Sequence, residues 1–336
     1  MTSAPPGDGR KADLVLEAGG VKGIAIAGAV AALARAGYTF PRIAGTSAGA
    51  ITGAVLAALQ LAGESVDRTE DIARSLKYSR FRDRGRIGRL FGPLGWLVDG
   101  IALAVESGMY EGAYLHDWLR GVLADLGVVT FADLREDDAG SDLPPQHAYR
   151  LVVFASDLSQ QRLVRLPWDY PDYGLDPDEM EVADAVRASA SIPFFFEPVT
   201  MRGPRGVSTL VDGALLSTYP ITAFDRADGQ PARWATLGVR VTSAIGDQTL
   251  VQPVGGPISL ALALVETALT ACQAQHIADR ANVARSIFVD TSGIASTDFD
   301  ITAEQRERLV QAGRDAVERF LRDWDFDQWQ RRWDRS

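Results

Sequence analysis

The chain of 336 residues contains few of the side chains that build disulfides and metal sites. Its single cysteine, Cys272, excludes an internal disulfide and a cysteine zinc cluster, and it fits a reducing compartment. The three histidines, His116, His147 and His276, are widely separated and form no pair with metal-binding spacing. The sequence therefore predicts no metal site.

Lysine is also scarce, and the 44 acidic residues outnumber the 34 Lys and Arg residues. The net charge is −10, and the lysines are Lys11, Lys22 and Lys77 alone. Such a chain should repel nucleic acid and anionic lipid, so we expect no nucleic-acid partner. Membrane contact must then come from a local apolar or basic surface. Residues 1–12 lack the apolar core of a secretory signal, which predicts a disordered lead-in and a cytoplasmic protein, at most peripheral to a membrane.

One long run carries no charge, at residues 43–63, and its length suggests a membrane span. Gly45, Gly49 and Gly53 interrupt it, and the remainder is rich in small side chains. A strand, a sharp turn and a buried helix explain this composition better than a span does.

The alternation of short apolar strands with helices predicts an α/β fold with a mostly parallel sheet covered on both faces. One domain is predicted over residues 13–323, followed by a Trp-rich tail at 324–336. Strands are predicted at 14–17, 42–45, 150–155, 161–166, 208–211, 235–241 and 286–290, and helices at 24–35, 48–61, 114–126, 182–190, 257–280 and 302–324.

Gly45-Thr46-Ser47-Ala48-Gly49 is a G-x-S-x-G motif between a predicted strand and a predicted helix. This context is typical of a catalytic serine on a strained turn, where the flanking glycines Gly45 and Gly49 remove side chains that would collide. The alternative is a glycine-rich turn that packs strand on helix and merely buries a serine.

The sequence AGGVKG at 18–23 also lies between a strand and a helix. A dinucleotide site is disfavoured because no Asp or Glu lies between Ala18 and Gly63 to bind a ribose, and the spacing excludes a nucleotide P-loop. We therefore expect no nucleotide cofactor. Two interpretations remain: an oxyanion hole of backbone N–H groups, or a tight turn needed only for packing.

Asp212-Gly213-Ala214 follows an apolar strand. A carboxylate at a strand end can point into a cleft, although a simple turn aspartate is the more common explanation.

Together, and in this order, the three motifs resemble those of the patatin-like phospholipases. The resemblance continues at 108–112, 187–193 and 298–300, and covers residues 13–323. One departure is Glu17-Ala18, where the family often has Asp-Gly or Ser-Gly before the glycine pair.

The resemblance implies a three-layer α/β/α sandwich and a Ser-Asp dyad, with Ser47 as nucleophile and Asp212 as base. It implies hydrolysis of fatty acyl esters in phospholipids or related lipids through an acyl-enzyme, without a metal or cofactor. In the implied oxyanion hole, the backbone of Gly20, Val21 and Lys22 holds the oxyanion, and Gly19 and Gly23 shape the turn.

Two alternatives stay open. The order Ser47, Asp212, His276 also matches a Ser-His-Asp esterase, although His276 falls within a predicted helix rather than on a loop after a strand. The fold can also serve a catalytically silent lipid-binding or interaction protein.

Three apolar features are candidates for lipid contact. Segment 79–108 mixes arginines with large apolar residues and is a candidate lid or membrane-surface segment. Phe194, Phe195 and Phe196 are a candidate acyl pocket, with plain core packing as the alternative. For the C-terminal tryptophans, docking on the body of the protein is the preferred interpretation.

Overall fold

The computed structural model describes residues 10–81, 112–136, 138, 140–242, 263, 267, 279–296 and 298–333. His276, Cys272, nearly all of the candidate lid and most of the predicted helix at 257–280 lie outside these residues.

Nine strands are present in the described residues, and they form one mixed sheet. They are β1 (Arg10–Leu16), β2 (Tyr38–Thr39), β3 (Ile43–Thr46), β4 (Leu151–Asp157), β5 (Arg162–Leu166), β6 (Val199–Gly203), β7 (Gly206–Asp212), β8 (Ala235–Thr242) and β9 (Ser286–Asp290).

The order of strands along the sheet is β6-β7-β4-β3-β1-β8-β9. Neighbours from β4 to β9 in this order run parallel, β2 adds a parallel pairing beside β1, and β5, β6 and β7 pair antiparallel. Parallel pairings are therefore the majority.

Helices flank this sheet. They are α1 (Gly23–Arg35), α2 (Ala48–Leu61), α3 (Arg68–Ser75), α4 (Ala113–Asp125), α5 (Val182–Ser189), α6 (Arg280–Ala284), α7 (Ala303–Asp323) and α8 (Phe326–Trp333). Short 3-10 turns lie at Gly20–Lys22, Tyr78–Phe81, Phe131–Leu134, Pro145–His147, Tyr170–Tyr173, Pro177–Glu179 and Gly213–Leu215. The α/β class with a mostly parallel sheet, predicted from the sequence, is confirmed.

The core strands read as continuous apolar runs because helices and loops cover both of their faces. In β1 the residues from Ala12 to Leu16 are all buried, and β3 and β4 are buried along their whole length. The helix α2 packs on β3 and β4, while α1 packs along α7. Because β1 and β3 are parallel neighbours in the centre of the sheet, their carboxyl ends lie side by side.

The uncharged run 43–63 forms β3, a turn and the buried helix α2, as predicted. Among the described residues, no helix has the length and apolar character needed to cross a bilayer.

Several boundaries differ from prediction. The lead-in expected to extend to residue 12 ends earlier, because Arg10 and Lys11 pair with Tyr38 and Thr39 in β2. The helix predicted at 257–280 does not continue through its end: Asp279 has an extended backbone and caps a new helix, α6. The strand β6, which pairs with β7, and the charged helix α3 were not predicted, since neither has a long apolar pattern.

The end of the chain contains two helices. A capping box begins α7, with the Thr302 hydroxyl accepting from Gln305 N–H. The predicted Trp-rich tail begins at Trp324, which stacks on Phe320, and continues into α8. There Trp329 Nε1 donates to the Ala281 carbonyl at 3.0 Å, which ties α8 to α6.

Candidate active site

Ser47 occupies the turn between β3 and α2. Its backbone has φ 53° and ψ −118°, a region that residues with a side chain rarely adopt. The turn is tight enough that a Cβ on Gly45 would lie 2.5 Å from the Gly49 carbonyl carbon, so the flanking glycines are required sterically. This strand-turn-helix geometry is the one expected of a nucleophilic serine at the edge of an α/β sheet.

Sheet register brings Asp212 to Ser47. Thr46 pairs with Phe154 on one side of β4, and Asp212 pairs with Ala155 on the other. Ser47 and Asp212 therefore lie at the same level across β4, although 165 residues separate them.

The two side chains are hydrogen-bonded. Ser47 Oγ donates to Asp212 Oδ2 at 2.6 Å, and the second carboxylate oxygen accepts Ala214 N–H at 2.9 Å. Both residues are buried, with exposed fractions of 5% for Ser47 and 3% for Asp212. The arrangement places a proton acceptor within the hydrogen-bond distance that general-base catalysis needs.

Burial controls the charge of Asp212. Removal of its carboxylate from water raises the pKa of Asp212 to about 7, while the hydrogen bonds from Ser47 and Ala214 act in the opposite direction. A carboxyl group with this pKa changes charge near neutral pH, which is the range in which a general base is most effective.

Ser189, at the end of α5, is hydrogen-bonded to the turn that carries Ser47. Its hydroxyl oxygen accepts Ser47 N–H at 2.8 Å and its proton is donated to the Phe154 carbonyl at 2.6 Å. The next serine, Ser191, accepts Asp212 N–H on its carbonyl at 2.8 Å. Sequence reasoning noted the 187–193 block but gave these residues no role.

The turn predicted as an oxyanion hole lies beside Ser47. Leu16 pairs with Gly45, so the turn after β1 adjoins the turn after β3, and a Cβ on Gly23 would lie 2.7 Å from Ala48 Cβ. Gly49 lies still closer to the end of β1, since a Cβ there would lie 2.2 Å from the Leu16 carbonyl oxygen.

Within this turn the backbone donors are not equivalent. Val21 N–H donates to the Ser296 carbonyl at 3.0 Å, and Lys22 N–H donates to the Gly19 carbonyl at 3.1 Å. In the described part of the chain, the N–H groups of Gly19 and Gly20 donate to no acceptor. These two groups are thus the ones available to a ligand.

A buried ion pair supports the start of the turn. Glu17 Oε1 accepts from Arg240 Nε at 3.1 Å and Nη2 at 3.0 Å, and Oε2 accepts Val241 N–H at 2.8 Å. Burial raises the pKa of Glu17 to about 7, against the opposing effect of Arg240. Glu17, one of the two residues at which the sequence departs from the family pattern, therefore joins the end of β1 to β8.

Two of the three phenylalanines predicted as an acyl pocket, Phe195 and Phe196, pack against other aromatic rings. Phe195 lies edge-on to Phe196 and contacts Phe299, each at 4.9 Å between ring centres. The Arg187 guanidinium lies 5.5 Å above Phe196, and Phe194 has a positive φ of 65°. Whether an acyl chain binds there stays a prediction.

The described histidines lie away from the serine. His116 contacts Asp184 at 2.9 Å and Asp117 at 3.2 Å, while His147 stacks on Trp168 at 4.8 Å. Only one group in the described chain has metal-ligand atoms close together: His116, Glu181 and Asp184, between α4 and α5. None of these residues contacts Ser47 or Asp212.

Comparisons with known proteins show the family of the chain. The sequence profile of the patatin-like phospholipases matches residues 14–225, which include both Ser47 and Asp212. The uncharacterized protein YqhO of Bacillus subtilis strain 168 is 34% identical over 315 residues, covering 94% of this chain and 99% of YqhO.

Two solved structures are more distant. VipD from Legionella pneumophila is 18% identical with a TM-score of 0.48, covering 95% of this chain and 67% of VipD. ExoU from Pseudomonas aeruginosa, in complex with SpcU, is 21% identical with a TM-score of 0.46; the match covers 93% of this chain but 53% of ExoU.

The family profile covers more than half of the chain, and YqhO matches over nearly its full length. The chain therefore belongs to the patatin-like phospholipase family, and this membership supports a lipid hydrolase activity.

Proposed function

We propose that this protein hydrolyses fatty acyl esters of phospholipids or related lipids through an acyl-enzyme, with Ser47 as nucleophile and Asp212 as base. The observation that carries the proposal is the 2.6 Å hydrogen bond from Ser47 Oγ to Asp212 Oδ2 on a strained turn between β3 and α2.

In the first step, Ser47 Oγ attacks the ester carbonyl carbon and its proton passes to Asp212 Oδ2. The hydrogen bond already has the correct direction, since the hydroxyl donates to the carboxylate. Attack converts the carbonyl oxygen to an oxyanion. The N–H groups of Gly19 and Gly20 are the donors that we assign to it, with the positive end of α1 close behind.

The tetrahedral intermediate then collapses. The carbon–oxygen bond to the alcohol breaks, the alcohol takes the proton from Asp212, and the acyl group remains on Ser47. Water next attacks the acyl-enzyme, losing a proton to Asp212, and Ser47 recovers that proton as the fatty acid leaves. Each proton that Asp212 accepts is thus returned within one turnover.

A fluorophosphonate probe tests this proposal, since such probes phosphonylate activated serines. We expect labelling of the wild-type protein at the peptide that carries Ser47, and none in Ser47→Ala. Ser217→Ala is a matched control, because Ser217 is also buried near the end of β7 but lies outside the dyad. Labelling of Ser47→Ala at the wild-type rate would refute Ser47 as nucleophile.

The same experiment separates the competing functions. A catalytically silent lipid-binding protein would bind lipid vesicles without reacting with the probe. A Ser-His-Asp esterase would react, but its labelling would depend on His276, so His276→Ala distinguishes the two serine mechanisms. The proposed dyad predicts that His276→Ala labels at the wild-type rate.

A further inference from the structure

A cavity lies at the edge of the sheet opposite to Ser47. Residues at the amino ends of three parallel strands line it: Asp13 in β1, Arg42 just before β3, and Thr236 in β8. Ser47 follows the carboxyl end of β3, so the length of this strand separates the cavity from the candidate active site. From Arg42 to Ser47 this separation is roughly 16 Å, at about 3.3 Å per residue.

The last helices of the chain close the cavity. Trp329 and Trp333 line it from α8, and Ala281 lines it from α6, to which α8 is tied by the Trp329 hydrogen bond. The cavity volume is about 260 Å³. Since a cavity of about 150 Å³ can hold benzene, this one has room for a molecule of two fused rings.

The walls of the cavity are rich in aromatic rings. These rings belong to Phe224, Trp234, Trp329 and Trp333. The Arg42 guanidinium is held against two of them, at 5.0 Å from the centre of the Phe224 ring and 5.9 Å from that of Trp234. Such walls favour a flat aromatic ligand, which can stack on them and bury its faces.

The charged groups of the cavity are already paired. Each guanidinium of the lining is bonded to a carboxylate, in the pairs Arg42–Asp13, Arg226–Asp228, Arg233–Asp138 and Arg285–Asp225. The remaining carboxylates of the lining, Asp142 and Asp279, accept backbone N–H groups. An ionic ligand would therefore lose its hydration without gaining a free counter-charge, so the cavity favours a neutral ligand.

One polar side chain of the lining is unsatisfied. Thr236 is only 6% exposed, and within the described part of the chain its hydroxyl makes no hydrogen bond. Thr236 pairs with Asp13 on the adjacent parallel strand, so both side chains lie on the face of the sheet that borders the cavity. A buried hydroxyl without a partner is unfavourable, and an acceptor atom on a ligand removes this cost.

We propose that this cavity is a second ligand site, which binds a neutral, flat heteroaromatic molecule of two fused rings. A ring nitrogen of the ligand accepts a hydrogen bond from Thr236 Oγ1, and the aromatic walls stack on its faces. The ligand rests against Asp13 and Arg42, at the ends of the two strands whose opposite ends lead into the turns of the candidate active site. The proposal does not depend on the acyl hydrolase activity proposed above.

Benzimidazole and indole are the matched probes, because they have the same shape and differ in the ring nitrogen that accepts a hydrogen bond. Isothermal titration calorimetry with the whole chain at pH 8, where both probes are uncharged, measures their binding. We expect benzimidazole to bind with a Kd of about 1 mM or lower, about fivefold more tightly than indole, as one neutral hydrogen bond predicts. No saturable binding of benzimidazole up to about 10 mM, or equal binding of indole, would overturn the proposal.

Thr236→Val tests the hydrogen bond, since valine keeps the shape of threonine without the hydroxyl. The affinity for benzimidazole should fall about fivefold, while that for indole stays at the wild-type value. An unchanged affinity for benzimidazole would contradict the assigned contact.

Ala281→Phe tests the location, because a large side chain at this position should fill the cavity and abolish the binding of both probes. Ala284→Phe is the matched control, since Ala284 is exposed on the same helix and does not line the cavity. Binding to Ala281→Phe at the wild-type affinity would place the probes elsewhere and overturn the proposal. Ser47→Ala should bind benzimidazole like the wild type; loss of binding there would place the probe in the candidate active site.

A charged probe tests the preference for a neutral ligand. Benzimidazole-5-carboxylate adds a negative charge to the same two rings, and we expect it to bind at least about tenfold more weakly than benzimidazole. Tighter binding of the carboxylate would reveal an unpaired cation in the cavity and overturn the proposed ligand class.

Discussion

Ser47 N–H donates to Ser189 Oγ at 2.8 Å, a contact between residues 142 positions apart in the chain. The Ser189 hydroxyl also donates a hydrogen bond, to the Phe154 carbonyl of β4 at 2.6 Å. The strained turn is thus fastened to the sheet strand that separates Ser47 from Asp212. In this arrangement the Ser47 N–H is already occupied, which leaves the oxyanion to the turn after β1.

Ser189→Ala should destabilise the protein and lower its activity. The change leaves the Ser47 N–H buried without its partner and removes one donor to the Phe154 carbonyl, a loss of about 1–3 kcal/mol in the free energy of unfolding. Urea unfolding together with phosphonylation rates checks this. Ser159→Ala is the control, because Ser159 also accepts a backbone N–H, from Thr209, but is exposed to water that can replace it. Equal effects of the two substitutions would contradict the assigned role.

The pH profile of ester hydrolysis should follow the ionisation of Asp212. As a base, Asp212 must be deprotonated, and burial raises its pKa to about 7. The value of kcat/KM should therefore rise as the pH increases towards 7 and level off above it. Because Glu17 has a similarly raised pKa, Glu17→Gln is the control and should keep the midpoint. A profile that is flat from pH 5 to pH 8 would show an ordinary aspartate, contrary to expectation.

The same pKa has a consequence for stability. Asp212 has a pKa of about 7 in the folded protein against the ordinary aspartate value of 3.8, so the folded protein binds this proton more tightly than the unfolded chain does. The wild type should then lose stability as the pH rises from about 4 to about 7.

Asp212→Asn removes the carboxyl group, so this variant should not lose stability through ionisation at position 212 as the pH rises. The stability of Asp212→Asn relative to wild type should increase between pH 5 and pH 8, with an upper limit of about 3 kcal/mol, because about two units separate pH 5 from the folded-state pKa and each is worth about 1.4 kcal/mol. Urea unfolding at both pH values measures the difference. A fall in the stability of Asp212→Asn relative to wild type between pH 5 and pH 8 would contradict the prediction.

Gly20→Ala should damage the oxyanion turn. Gly20 has a φ of +55°, and an added Cβ would lie 2.1 Å from the Ser296 carbonyl oxygen. Gly37→Ala is a matched control, because Gly37 also has a positive φ but has open space around it. Strain alone should cost Gly37→Ala about 1–2 kcal/mol and leave activity intact. Gly20→Ala should lose more stability and most of its hydrolysis rate; wild-type hydrolysis would exclude this turn from the site.

The sequence predicted the central part of the fold because its signals there are local. The run from Ile43 to Gly63 alternates between apolar strand, glycine turn and Ala-rich helix, and each boundary follows from residues within a few positions. The exact span predicted for α2 was confirmed. Short or charged elements such as β2 and α3 have too few apolar residues to give such a pattern.

The candidate site was only partly predictable, because its support comes from long-range register. Nothing near Asp212 in the chain reveals that it lies across β4 from Ser47, and the family resemblance was needed to select it. Ser189 had no distinguishing local signal either. The assignment of donors in the turn after β1 required the carbonyl of Ser296, which approaches Val21 from the far end of the chain.

The measurement that tests the Ser47–Asp212 dyad most directly compares Asp212→Asn with His276→Ala in single-turnover acylation of Ser47 at pH 8. If Asp212 is the base, Asp212→Asn should lose at least about 100-fold in acylation rate, the usual contribution of a general base, while His276→Ala should react like the wild type. Loss of acylation in His276→Ala with wild-type rates in Asp212→Asn would contradict the dyad and assign the base to the histidine.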